Sequence, residues 1–247
     1  MALGSRPGAL GLRNAPTNSY TGFVPTFSFR TADGATEALG GHFWDGRADT
    51  LAHQALGPLL NPVEMNNASA TAVVAKVAAA PYARQFLAEF GPGAFSTPDQ
   101  AFVQIGLALE AFEKSTRLQP FTSKFDAMLR KQVVFNANEQ RGMALFMDRN
   151  RANCVACHTM NPQTGKPQDS MFTNLAYFAT GVPRNNLIPA NANPSFFDLG
   201  LCGPQRTAPV APAGVDIQNF CGKFRVPTLR NVGQRQAFMH NGFFQSL

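Results

Sequence analysis

Apolar residues fall at helical spacing through the middle of this chain and lose their periodicity toward both ends. Behind Thr97-Pro98-Asp99-Gln100, the residues Phe102, Ile105, Leu109 and Phe112 recur at three- and four-residue steps and predict one apolar helix face. Thr97 with Gln100 reads as a capping box, and Pro98 suits the first helical position. The alanine- and valine-rich stretch from Asn67 to Ala80 predicts a helix that stops at Pro81; Tyr82 to Phe90 predicts a second, closed by Gly91-Pro92-Gly93. Thr122 to Arg130 predicts another. Met143, Phe146 and Met147 mark a short helix with Asn138 as its N-cap. Gly142 inside it either admits the close approach of another helix or is a tolerated helix glycine.

Residues 1 to about 66 are rich in Gly, Pro, Asn and Thr and predict extended and loop structure. After His158 the chain returns to such loops, ending in Val226-Pro227-Thr228-Leu229-Arg230-Asn231-Val232. A domain boundary is expected near residue 131, and no internal repeat is visible.

The short helix leads into Cys154-Val155-Ala156-Cys157-His158. Two thiols at that spacing can add across the vinyl groups of one haem, and the histidine that follows supplies a nitrogen to its iron. A thioredoxin-like pair would need a βαβ setting that is missing here, and a zinc site a second pair at short, regular spacing. Cys202 and Cys221 are instead separated by an irregular Gly/Pro-rich loop. The motif therefore predicts covalent haem attachment, with a class I cytochrome c domain around it.

With 247 residues and 45% hydrophobic content the chain can hold one large or two modest domains. No apolar run is long enough to span a membrane. The formal charge of +6 comes from scattered basic residues, which argues against a nucleic-acid surface and is compatible with an acidic protein partner. The 22 phenylalanines suit a wall around a large apolar cofactor, though core packing accounts for them equally well. Bacteria attach haem covalently outside the cytoplasmic membrane, so an export signal is expected. Met1-Ala2-Leu3-Gly4-Ser5-Arg6-Pro7-Gly8 has no apolar region of that kind, which predicts sequence upstream of Met1.

Five segments in order resemble the bacterial di-haem cytochrome c peroxidases and their MauG-type relatives. They are Arg13-Asn14-Ala15-Pro16-Thr17; Phe43-Trp44-Asp45-Gly46-Arg47-Ala48; Gln54, Gly57-Pro58 and Asn61-Pro62-Val63-Glu64-Met65; Cys154 to His158; and Phe224 to Val232 with Phe238-Met239-His240-Asn241-Gly242. Gly181-Val182-Pro183-Arg184-Asn185 and Asp198-Leu199-Gly200-Leu201-Cys202-Gly203-Pro204 look more like the MauG-type branch. The resemblance implies a mostly α-helical fold of tandem class I cytochrome c domains with long irregular loops. Residues 1–130 would belong to the first, peroxidatic domain, without its haem motif, and residues 131–247 to the second. It also implies that the first haem motif lies before Met1 and that the distal ligand of the second haem, Met or Tyr, lies beyond Leu247.

Carried over residue by residue, the resemblance implies that Glu64 moves a proton between peroxide oxygens. Gln54 would donate a hydrogen bond in the same pocket and Pro58 would shape it. Trp44, the only tryptophan, would carry electrons between the haems. Asn14 and the backbone carbonyls of Arg235 and Ala237 match a calcium site, although the family commonly has Thr and Pro at the last two positions, and a guanidinium there would oppose the ion. His240 matches a histidine near the second haem, and Met239 or His240 could serve as a fallback sixth ligand. His42 and His53 carry no ligand spacing and are expected at the surface or behind the site. Cys202 and Cys221 pair most simply as a disulfide in an oxidising periplasm, with two free buried thiols as the alternative.

The implied activity is reduction of hydrogen peroxide, with electrons from a small donor protein such as a cytochrome c or cupredoxin. MauG-like oxidation of a partner protein is the alternative within the family, and a homodimer is a common assembly. A mono-haem electron carrier is the reading from a different class.

Overall fold

The computed structural model describes residues 3–32, 34–206 and 211–247. Among them are α1 (Leu51–Leu60), α2 (Ala70–Ala78), α3 (Ala83–Phe90), α4 (Pro98–Glu113), α5 (Lys124–Leu129) and α6 (Ala137–Met147). Four short strands accompany them: β1 (Ser28–Ala32), β2 (Ala35–Leu39), β3 (Tyr177–Phe178) and β4 (Phe224–Arg225).

The β1–β2 hairpin agrees with the extended and loop structure expected up to about residue 66, but helix α1 lies there as well. Thr50 caps α1 by accepting from the backbone N–H of His53 at 3.1 Å. Pro58, inside α1, brings no N–H for the carbonyl of Gln54, and Gly57 is a weak helix former, so local propensity conceals this helix. Packing against α4 supplies what propensity lacks. Gly106 of α4 lies so close to α1 that a Cβ there would stand 2.7 Å from the Ala52 carbonyl and 3.1 Å from Leu56.

Three of the four residues expected on the apolar face of α4 meet the core. Ile105 is buried with Val73, Val74, Phe86, Ala94 and Ala101, while Phe102 and Leu109 pack on that cluster. Phe112 is instead 51% exposed. Pro98 begins α4 as expected, but the Thr97 side chain makes no capping bond. True capping boxes start α5 and α6, where Ser123 pairs with Asp126 and Asn136 with Glu139. The N-cap of α6 is thus Asn136, because the reciprocal partner of the box stands three residues on, and Asn138 is already inside the helix. Gly142 has open space where its Cβ would be, so no helix approaches it among the described residues.

A second cluster joins Phe27 and Ala38 to Tyr177, Leu201 and Phe220 across the position of the expected boundary. The hairpin pairs Ser28 with Leu39 in antiparallel register; Leu39 then bridges to Ala176, next to the β3–β4 pair. The Tyr177 hydroxyl donates to the Gly40 carbonyl at 2.6 Å. The N-terminal segment is thereby laid against the loops that follow His158.

Candidate haem pocket

Asn153 in a left-handed conformation (φ 49°) turns the chain into a 3-10 turn over Cys154–Ala156, and the His158 N–H bonds back to the Cys154 carbonyl at 2.8 Å. The turn is tied to the loop that runs beside it: the Asn174 N–H donates to the Cys157 carbonyl at 2.8 Å, and the Thr159 hydroxyl to the Thr173 carbonyl at 2.7 Å. Cys154 and Cys157 are free thiols, half-buried.

His158 Nδ1 lies 2.9 Å from the Phe172 carbonyl. A carbonyl can only accept, so Nδ1 carries the hydrogen and Nε2 keeps its lone pair. Burial lowers the pKa of the ring below its ordinary value, against the pull of the backbone carbonyls of Phe172 and Pro227, and favours the neutral form that a metal needs.

Cys154, Cys157 and His158 line a cavity of about 470 Å³, shared with Trp44, Phe224 and His240. Its size is that of a cofactor pocket. A haem attached through two thioethers needs a thiol pair, one neutral imidazole nitrogen and apolar walls. All three meet in this cavity, so the residues fit the group.

Three of the matching segments are locked together beside it. Arg13 grips Asp198 through Nε and Nη2, both at 2.7 Å, and Asp45 through Nη1, also at 2.7 Å. Burial works against the guanidinium charge, but the two carboxylates outweigh it and hold its pKa above the usual value. Asp45 is fully buried and also accepts from Arg47. This anchor fixes Trp44, whose indole N–H donates to the Asn14 carbonyl at 2.7 Å. The ring of His240 stacks on Phe224 with centroids 3.6 Å apart and meets Trp44 edge-on at 6.5 Å. Burial pushes the His240 pKa down to about 4.

The other expected site residues are placed differently. Gln54 and Pro58 stand one turn apart on α1, on the side away from the Ala52–Leu56 contact with α4. Glu64 follows in the next turn, where its carboxylate accepts from Asn61 Nδ2 at 2.7 Å. None of the three lines the haem cavity. Of the two histidines expected at the surface or behind the site, His53 is exposed and His42 is buried at 4% exposure.

Asn14, Arg235 and Ala237 do come together. Asn14 Nδ2 donates to the carbonyls of Ala237 at 2.9 Å and Met239 at 3.3 Å, and the Arg235 guanidinium donates to the Ala15 carbonyl. Donor groups already satisfy carbonyls here and a fixed cation stands beside them, so this set fits calcium poorly and no function is drawn from the ion. Cys202 and Cys221 form the expected disulfide. The Phe224–His240 stack and the Asp45–Arg13–Asp198 anchor carry no local sequence signal of their roles; only the order of the matching segments hints at them.

Fold and pocket together define a helical protein built to hold haem c. Residues 1–133 match the family model described as di-haem cytochrome c peroxidase. The methylamine utilization protein MauG of Paracoccus denitrificans is 37% identical over 96% of this chain and 58% of its own length. Cytochrome c551 peroxidase of Nitrosomonas europaea is 30% identical over 81% of this chain and 50% of its own. Among solved structures, the diheme peroxidase BthA from Burkholderia thailandensis superposes with a TM-score of 0.91 at 40% identity, covering 99% of this chain and 58% of that one. The chain belongs to the di-haem cytochrome c peroxidase family and spans about half the length of the curated relatives it matches.

Proposed function

We propose that this chain forms part of a periplasmic di-haem oxidoreductase that reduces hydrogen peroxide to water, with units divided between residues 130 and 131. The observation that carries the reading is the single cavity shared by Cys154, Cys157, His158 and Trp44 in a chain of this family. Covalent haem attachment supports export, and no helix among the described residues is long and apolar enough to cross a membrane.

Haem, when bound, supplies a one-electron redox centre in that cavity. Cys154 and Cys157 would hold it through thioether links, their S–H groups adding across its vinyl groups, and His158 would offer Nε2 to the iron. Trp44, fixed by its N–H bond, gives an aromatic path out of the pocket. Glu64 takes a proton from one peroxide oxygen and returns it to the other; two electrons and two protons from outside complete two waters. Gln54 orients the peroxide by a hydrogen bond, and Pro58 shapes the face beside it. The electrons come from a small donor protein, cytochrome c or cupredoxin, and a net charge of +6 suits an acidic one. The assembly is a homodimer.

One observation favours a second reading, MauG-like oxidation of residues on a partner protein. The segment matching that branch is held to the pocket: Asn185 Nδ2 donates to the Asn241 carbonyl at 2.9 Å and Asn241 Nδ2 to the Pro183 carbonyl at 2.8 Å.

The test uses protein exported from cells that attach haem c. A pyridine haemochrome assay is expected to give one covalent haem per 247-residue chain. In a protein that carries both haem motifs of the family, Glu64→Gln is expected to lower peroxide turnover about 100-fold, within the usual range for loss of a general acid–base, with the haem count unchanged; with only the haem at Cys154 and Cys157 bound, little turnover is expected. Turnover indifferent to Glu64→Gln rejects its role; reversible oxidation and reduction without peroxide turnover identifies a mono-haem electron carrier.

A further inference from the structure

The segment 167–174 runs past His158 with its carbonyls taken up in sequence. The carbonyl of Pro167 accepts from Arg230 Nη2 at 2.7 Å, and that of Ser170 from Arg230 Nε at 3.1 Å. The Met171 carbonyl accepts from the Thr228 hydroxyl at 2.6 Å, and the Phe172 carbonyl from His158 Nδ1 at 2.9 Å. Arg230 Nη1 spends its hydrogens on both oxygens of Asp126 in α5, at 3.0 and 3.1 Å. The side chains of this pair are 3% and 0% exposed.

Around the guanidinium stand the rings of Phe121 at 4.5 Å, Tyr20 at 5.2 Å and Phe172 at 5.7 Å. Phe172 itself has φ 54°, a left-handed conformation that a bulky residue adopts only when its surroundings impose it. A buried ion pair is weak evidence of stabilisation, since apolar side chains of similar volume often serve as well. The fork of Arg230 does what an apolar side chain cannot: it fixes two carbonyls of one loop at set angles from a rigid helix.

We propose that Arg230 is a positioning residue for the proximal histidine. Anchored on Asp126 of α5 and acting through the 167–172 loop, with Thr228 as a second clamp, it sets the direction of the Phe172 carbonyl and so the strength of the His158 Nδ1–H bond. A stronger bond makes Nε2 a better donor to iron and favours the oxidised metal; loosening the clamp raises the reduction potential. The inference rests on the reading that haem is held at His158.

The experiment compares Arg230→Lys and Thr228→Val with the unaltered protein, each exported and haem-loaded. Lysine keeps the charge opposite Asp126 but cannot reproduce the fork. Three quantities are read: covalent haem per chain, the midpoint potential by spectroelectrochemistry, and the hyperfine-shifted His158 ring resonances by proton NMR. Both variants are expected to carry one haem, to show a higher midpoint potential and to move the His158 resonances, with Arg230→Lys moving them further. Unchanged potential and resonances in haem-loaded variants that merely melt earlier would reduce Arg230 to a structural role. A lowered potential would likewise overturn the proposal. If Arg230→Lys fails to assemble, Thr228→Val decides alone. Absence of covalent haem from the unaltered protein would instead sink the haem reading on which this one rests.

Discussion

Around His158, hydrogen bonds reach from four parts of the chain: the 3-10 turn at Cys154, the loop 167–174, the segment ending at Arg230, and Asp126 of α5. Around Glu64 only the carboxylate is held locally; the Ser5 N–H donates to the Glu64 backbone carbonyl at 2.6 Å and Arg6 Nη2 to that of Pro62 at 2.8 Å. The carboxylate meets Asn61, and the turn folds back on α1 through the Met65 N–H to the Pro58 carbonyl at 3.1 Å. The first region has walls as well as functional side chains, since Trp44, Phe224 and His240 close over the cavity that holds the thiols. The second has Gln54, Pro58 and Glu64 on one helix and its turn, apart from that cavity. A carboxylate can be set in place by its own turn with one N-terminal segment laid against it, but a pocket needs contacts gathered from several distant parts of the sequence.

Breaking the pocket is the largest perturbation available. Replacing Cys154 and Cys157 together by Ser is expected to abolish covalent haem, read as complete loss of the haemochrome signal after acid extraction. Circular dichroism should still show α1 to α4, because their core around Ile105 contains no pocket residue; loss of all helical signal would mean that the two regions are one folding unit.

The converse break is Gly106→Val. A side chain there meets the Ala52 carbonyl and Leu56, and overpacking is expected to cost about 1–3 kcal/mol in a urea titration. Covalent haem should be unaffected. Haem loss in a folded Gly106→Val protein would tie the pocket to α1–α4 packing.

The seam between the regions can be probed by pH. His42 is flanked by Arg225 of β4 and by Glu110 and Lys114 of α4; burial, with Arg225 adding to it, pushes its pKa from 6.5 down to about 4. The unfolded chain therefore binds a proton there between those values that the folded chain refuses. Stability from this group is complete above pH 6.5 and is lost as pH falls toward 4, by about 1.4 kcal/mol per pH unit. His240, also near 4, adds the same slope, while Glu113, pushed up by burial, opposes it. In denaturant titrations across this window, His42→Gln should flatten the fall; an unchanged slope would rule His42 out as its source.

The smallest effect expected is that of calcium. With the Arg235 guanidinium donating to Ala15 and the Asn14 amide to Ala237, chelation by EGTA should leave the haem spectrum and melting temperature unchanged. A calcium-dependent melting temperature would show that the ion displaces these bonds.

The haem pocket was legible because its chemistry sits in five consecutive residues, and the disulfide because the motif leaves only two cysteines over. The resemblance gave Asn14, Trp44 and His240 separate roles, in a calcium site, between the haems and near the second haem; the structure puts all three on the wall of one cavity. Helix α1 was hidden by Gly57 and Pro58, whose tolerance depends on packing against Gly106 rather than on local preference. The start of α6 shifted to Asn136 because an N-cap is fixed by its reciprocal partner, here Glu139. Arg230 stood in plain view in the sequence, but its carboxylate partner is 104 residues away, and no periodicity reports a bond of that span.

The bridge between Cys202 and Cys221, with Cα atoms 4.8 Å apart, sets a problem of sorting during maturation. Every complete pairing of four cysteines consumes Cys154 and Cys157, so oxidation must stop after one bond for the haem thiols to remain usable. The fold draws that line itself. Gly200 forms bridges to both Cys221 and Lys223, which brings the ends of the excursion together, while Cys154 and Cys157 stay half-buried in the turn ahead of His158. Two outcomes of thiol chemistry, one oxidative and one not, are thus kept apart by geometry within a single chain.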